Sequence, residues 1–264
     1  MDHPNRPGKI TIGTSGWQYA DWQGPFYPKG LAKREWLRRY AVNFTSVEVN
    51  ASFYRLPAQS TIERWRAATP DGFLFSVKAP RVLTHFKKLK GCEQGIQELL
   101  ARLALFGDKL GPVLFQLPPR WHVNVHRLEE FLTALPGGRR IVIEPRDDSW
   151  QCEEVYTILR AHRTGLCIAD RGGVTSAEIP TGDFVYLRLH GPAADGGGDY
   201  RPESLRGWAA RALNWTRTGR DVYLYFDNDQ HAHAVRNARR LVGFLNEGVT
   251  LPGVAIEECA DVGT

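Results

Sequence analysis

Leu187-Arg188-Leu189-His190 puts two leucines on one parity and two basic residues on the other, with the imidazole at the carboxyl end. Successive side chains of a strand point to opposite faces, so such a segment is apolar toward one layer and reactive toward the other. The pattern returns in Val47-Glu48-Val49-Asn50, Phe75-Ser76-Val77-Lys78, Phe115-Gln116-Leu117, Ile141-Val142-Ile143-Glu144 and Leu224-Tyr225-Phe226-Asp227. In each, one parity is aliphatic or Phe and the other ends in a group that titrates or hydrogen-bonds. A closed parallel barrel would turn the aliphatic set toward outer helices and gather Glu, Lys, Gln, Arg, His and Asp in one mouth. That layout suits an enzyme site without naming its reaction.

Outward from these segments, strands are expected at about 9–15, 45–50, 73–78, 112–117, 140–145, 165–170, 184–190 and 222–227. Helical patterns fill 33–41, 60–68, 94–107, 126–135, 150–162, 202–217 and 230–246. The second opens on Ser60-Thr61-Ile62-Glu63, a capping box with Ser60 as N-cap. The third sets Ile96, Leu99, Leu100, Leu103 and Phe106 on one stripe. Residues 171–183 are short and carry Gly and Pro, so no full helix is expected there. Strands alternating with helices imply a parallel sheet with right-handed crossovers, and eight units favour closure. The expected fold is α/β: a single (β/α)8 TIM-type barrel over 1–264, with its core at about 10–246 and a tail at 248–264. A dinucleotide-binding reading is weaker: Thr14-Ser15-Gly16-Trp17 follows the first strand without GxGxxG, and no Walker A pattern occurs.

A chain of 264 residues fits one such domain. The composition, 42% hydrophobic and 24% charged, is that of an ordinary globular protein. A net charge of +5 tolerates nucleic acid or phosphorylated ligands without requiring them. Cys92, Cys152, Cys167 and Cys259 have no metal-type spacing and read as reduced thiols of a cytoplasmic protein. The start MDHPNRPGKI lacks an apolar leader core, and no apolar run is long enough for a bilayer, so no membrane association is expected.

Several segments, in order, resemble the YecE-like family, a domain of unknown function. They are Ile12-Gly13-Thr14-Ser15-Gly16-Trp17, Tyr27-Pro28, Val47 through Pro57, Phe75 through Pro80, Thr84-His85 and Leu114 through Pro119. Glu144-Pro145-Arg146, Ser149-Trp150, Tyr186 through Gly191 and Tyr225 through Asn228 extend the likeness to about residues 10–246. The resemblance implies a TIM-type barrel and no particular activity, substrate or cofactor. Pro145 and Asp227 depart from it: the family usually has an aromatic or aliphatic residue at the first position and often Asn at the second.

By parity the inward polar set is Ser15, Glu48, Asn50, Ser52, Lys78, Gln116, Glu144, Arg146, Arg188, His190, Tyr225 and Asp227. In TIM barrels the catalytic groups come from the ends of several strands. The plainer alternative is a structural ion network, against which stands the cost of burying ions. Lys78, Arg146 and Arg188 suit a carboxylate or phosphate ligand. Glu48 and Glu144 would then transfer protons, with His190, oriented by Asp227, as a shuttle. No cofactor is expected; a divalent metal held by Glu48, Glu144, His190 and Asp227 is the rival, provided the arginines turn outward. Glycosidase chemistry asks for carboxyls about 5 Å or 6.5–9.5 Å apart. The usual strand-four and strand-seven glutamates are replaced here by Gln116 and by Arg188 or His190, which counts against it.

Trp17, Tyr19, Trp22, Phe53, Tyr54, Trp121 and Trp150 gather near the same mouth, either to stack on a ligand or to cap the barrel. Trp17, Tyr54, Trp150 and Asn228 join the candidate binding residues. The glycine-rich run 191–200 reads as a lid, with Tyr200 able to swing onto substrate. The run Arg81 through Lys90 is a basic patch that could meet nucleic acid, a partner less favoured than a small anion. The His122/His126 and His231/His233 pairs read as incidental. Asp170 shares parity with Leu166 and Ile168 and is left outside the site.

Overall fold

The structure is a computed structural model that describes residues 6–194 and 197–247; the expected tail at 248–264 and Cys259 lie outside them. Its strands are β1 (Ile10–Thr14), β2 (Ser46–Val49), β3 (Leu74–Lys78), β4 (Leu110–Gln116), β5 (Ile141–Glu144), β6 (Gly165–Arg171), β7 (Val174–Thr175), β8 (Phe184–Leu189) and β9 (Asp221–Phe226). The helices are α1 (Trp36–Ala41), α2 (Gln59–Ala67), α3 (Glu93–Ala104), α4 (Val125–Thr133), α5 (Glu153–Ala161), α6 (Pro202–Arg217) and α7 (His233–Asn246). All but β7 form a parallel ring in the order β1-β9-β8-β6-β5-β4-β3-β2. As expected, β6 lacks a following helix and turns back through β7, which pairs with it antiparallel.

The ring closes between β1 and β2 through a single parallel bridge, Ser15 to Glu48. Below that bridge a side chain takes over: Thr14 N–H donates to the Tyr40 hydroxyl at 2.8 Å, and this hydroxyl donates to Ser46 C=O at 3.0 Å. Gly13 is what lets the strands come so near, since a Cβ there would lie 2.2 Å from the Ser46 carbonyl oxygen.

Alternating parity builds two separate apolar layers. The outer one, between ring and helices, takes Val47, Val49, Phe75, Val77, Phe115, Ile143, Leu187 and Leu224. The inner one fills the lumen with Leu114, Val142, Cys167, Phe184, Tyr186, Tyr223 and Tyr225. The lumen is thus plugged from its lower end to mid-height, and Glu48, Glu144, Arg188 and His190 gather above the plug at the C-terminal mouth. Tyr225, expected at the mouth, belongs to this plug: its hydroxyl bonds Ser46 Oγ at 2.6 Å and Ser76 Oγ at 2.8 Å.

One local expectation fails. Helix α2 starts at Gln59 with Ala58 as its cap residue, and no side chain caps it. Ser60 therefore lies inside the first turn, and Glu63 instead accepts from Gln59 Nε2 at 2.8 Å. Ala58, extended at φ −62° and ψ 153°, is the cap residue, two positions earlier than the capping-box pattern places it. Among the described residues no helix is long and apolar enough to cross a membrane.

Candidate active site at the barrel mouth

Arg188, carried into the lumen by β8, is the centre of the mouth and is 1% exposed. Its Nη2 donates to Glu48 Oε1 at 2.8 Å and to Asp227 Oδ2 at 3.0 Å. Nη1 donates to Glu144 Oε2 at 3.0 Å and Nε to Glu48 Oε2 at 3.1 Å. One guanidinium thereby joins carboxylates from β2, from β5 and from the residue just after β9. Burying these ions is tolerable only because nearly every donor and lone pair has a partner.

Glu48 shows no exposed surface and also accepts from Ser15 Oγ and from the Tyr186 hydroxyl, both at 2.6 Å. Glu144, equally sealed, accepts from Gln116 Nε2 at 2.9 Å and from Arg146 Nη1 at 3.0 Å. Burial works to raise the Glu144 carboxyl, but the Arg188 charge with His190 and Arg146 outweighs it and holds the group well below the usual carboxylate range. The same balance, with Arg188 and His190 winning over burial, depresses Asp227. This overturns two expectations. Glu48 and Glu144 are not presented for proton transfer, and Arg188 has no side left for a ligand anion.

His190 ends β8 on the rim. Its Nδ1 lies 2.9 Å from Asp227 Oδ2 and its Nε2 3.2 Å from Glu144 Oε1. Burial pulls against protonation, but hydrogen bonds to both carboxylates prevail and raise the imidazole above its ordinary value. Arg146, about one-fifth exposed, engages Glu144 and the His190 region through Nη1. Beside them opens a cavity of about 220 Å³, walled by Arg146, His190, Cys167, Ala169 and the β7 turn.

Lys78 ends β3 on the opposite side. Its Nζ sits 4.4 Å from the Phe53 ring centre, and the His85 ring meets the same Phe53 edge-on at 4.9 Å. Burial and the charges of Lys78, Arg146 and Arg81 lower the His85 imidazole, which marks it as a basic-side wall of the mouth. Asn50 keeps its Oδ1 buried without a hydrogen-bond partner.

Other expected binding residues lie elsewhere. Trp17 is buried edge-on against Trp65, and Trp150 is buried against Trp121, to whose carbonyl it donates at 2.6 Å. They and Trp22 cap the barrel. Tyr54 lies on the outer surface beside Arg81. Tyr200 is no swinging group: its buried hydroxyl donates to Asp170 Oδ1 at 2.6 Å and accepts from Gly191 N–H at 3.0 Å. Asn228 anchors the same loop through the Gly198 carbonyl and Asn237. His122 and His126 are surface groups beside Asp147 and Glu130.

Tyr186 and His85 are the site residues that sequence reasoning missed. Tyr186 shares the inward parity of Arg188, so the alternation rule extended one step down β8 finds it. For His85 the signal is its place in the Thr84-His85 pair.

The metal alternative required arginines facing outward. Arg188 faces inward, and its guanidinium fills the space between Glu48, Glu144 and Asp227 where a cation would sit. Among the described residues no group of three or more His, Cys, Asp or Glu side chains is arranged to hold a metal ion.

The chain is 30% identical over 161 residues to the UPF0759 protein YecE of Escherichia coli K12, a stretch covering 60% of this chain and 57% of that protein. It is 24% identical over 270 residues to the UPF0759 protein YunF of Bacillus subtilis 168, covering 90% and 95% of the two chains. A solved DUF72 family protein of Thermotoga maritima superposes with a TM-score of 0.82 at 26% identity, over 90% of this chain and 99% of that one. The family model described as protein of unknown function DUF72 matches residues 11–257. With its barrel, its mouth and nearly its whole length accounted for, the chain belongs to the DUF72 family.

Proposed function

We propose that this barrel is an enzyme performing acid–base chemistry on a small polar anion, such as a carboxylate or a sugar derivative, bound at its C-terminal mouth. The observation that carries this reading is His190, held between Asp227 and Glu144 on the wall of a cavity that Arg146 also lines. A raised imidazole is a proton donor near neutral pH. Once its Nε2 proton is given up, the Nδ1 contact to Asp227 fixes the tautomer that can take the proton back. Arg146, which among the described residues bonds through Nη1, offers the rest of its guanidinium to the anion. Glu48, Glu144 and Arg188 act as a rigid charged floor that pre-orients these groups. Free thiols at Cys92, Cys152 and Cys167 fit a reducing, cytoplasmic setting.

The test is a thermal-shift screen of organic acids, sugar phosphates and nucleotides. A ligand at 100 times its Kd adds about 2.7 kcal/mol of stability. Turnover of the substrate so found is expected to fall by roughly 10²–10⁴ in His190→Asn. Equal turnover by variant and parent would remove His190 from the chemistry.

A further inference from the structure

Two lysines of this barrel are withdrawn from bulk water, and the chain treats them differently. Lys109 is buried and donates to Arg66 C=O at 2.8 Å, Thr69 C=O at 2.7 Å and Thr69 Oγ1 at 3.2 Å. That is a cradle for an ammonium ion, with an acceptor for each of its three protons. Lys78 Nζ has no such cradle: among the described residues it makes neither hydrogen bond nor ion pair, and its defined neighbour is the face of Phe53. The carboxylates that could have served it are taken. Glu48, Glu144 and Asp227 pair instead with Arg188, Arg146 and His190, which match them one for one when the imidazole is protonated. A charge on Lys78 is left over.

We propose that Lys78 is an amine nucleophile that condenses with the carbonyl of a small anionic aldehyde or ketone, of the 2-oxo-acid class, to form a Schiff base at the barrel mouth. This rests on reading the mouth as a site for a small anion, with Arg146 taking the ligand's carboxylate. The amine lone pair forms the C–N bond while one proton passes from nitrogen to the carbonyl oxygen. The resulting hydroxyl leaves as water on taking up one proton, from His190 or from solvent, and the C=N bond remains protonated. No electrons change hands. A desolvated lysine beside a second cation is a recurring means of keeping such an amine free at neutral pH. Burial and the Arg188 charge do lower Lys78, against Glu144, Glu48 and Asp227, which act to raise it. His85 and Tyr54 also pack against Phe53; the His85 imidazole is itself lowered, by burial first, and Tyr54 is largely exposed. Lys78 is also partly open to solvent, unlike the sealed Glu48, Glu144 and Arg188.

The experiment incubates the full chain with pyruvate or glyoxylate and sodium cyanoborohydride at neutral pH, then maps adducts by peptide mass. The expected result is modification of Lys78 about tenfold faster than of the surface lysines Lys87, Lys88 and Lys90. Lys78→Arg, folded by circular dichroism, is expected to lose that adduct. Labelling of Lys78 no faster than of the surface lysines overturns the proposal. A parallel thermal-shift arm with malonate and inorganic phosphate, which lack a reactive carbonyl, separates the two readings. Stabilisation without trapping sinks the Schiff base and leaves the anion site, whereas neither stabilisation nor trapping sinks both.

Discussion

Arg188 holds three carboxylates, so its removal should be felt as leftover negative charge more than as a lost side chain. Arg188→Met is expected to destabilise the fold by about 3–5 kcal/mol at neutral pH, the usual cost of leaving buried partners uncompensated. In that variant Glu48, Glu144 and Asp227 repel one another and are desolvated, so protonation relieves them. The deficit relative to the parent should therefore shrink as pH falls toward 4. Urea unfolding of both proteins at pH 7 and pH 4.5 checks this, and a deficit that grows on acidification would contradict it. At this scale the sequence was only half legible. Alternation identified Glu48, Glu144, Arg188, His190 and Asp227 as inward, because parity follows directly from a strand's geometry. It could not say which of them would end up sealed, since that depends on how deep each residue sits in the lumen. Lys78 and Arg188 look alike in sequence, yet among the described residues Lys78 Nζ meets the Phe53 face and no carboxylate, while Arg188 holds three carboxylates.

Among the elements, the connection from β8 to α6 carries the glycine run read as a lid, of which residues 195 and 196 lie outside the described residues. At its described ends Tyr200 bonds Asp170 and Gly191, Asn228 donates to the Gly198 carbonyl, and Asn237 accepts from Tyr200 N–H. Gly191 has φ of +109°, and a Cβ there would lie 2.1 Å from the Gly197 carbonyl oxygen, so the glycines serve a tight return of the chain. Tyr200→Phe leaves the buried Asp170 oxygen without its donor and should cost about 1–3 kcal/mol. The loop at 191–200 should then be cut by a protease well before global unfolding, which timed proteolysis with mass mapping would show. An uncut loop in a destabilised variant would mean that Asn228 and Asn237 suffice. Strand and helix positions were read to within a few residues from periodicity. The start of α2 differs because the chain turns helical at Gln59, which leaves Ser60 inside the first turn.

For the whole molecule, the mouth ties stability to pH through His190. Its folded value is raised, so its contribution is complete below the ordinary imidazole pKa of about 6.5 and is lost as pH rises through the folded value. The stability difference between the parent and His190→Asn should accordingly be larger at pH 5.5 than at pH 9, as denaturant titrations would reveal. A difference that does not change would mean that His190 is neutral in the folded state. The ring itself was legible because alternation, crossover length and turn residues all agreed, while the single-bridge seam left no trace in any pattern. That seam and the guanidinium brace have a bearing on how the chain is made. Ribosomes deliver Glu48 and Glu144 well before residue 188 exists. A nascent chain that ends short of β8 has Arg146 for Glu144 but lacks the guanidinium that both acids share. The link from β2 to β5 through one side chain is therefore absent until the last third of the chain supplies it. A lesion confined to that late segment would also release strands synthesised long before it.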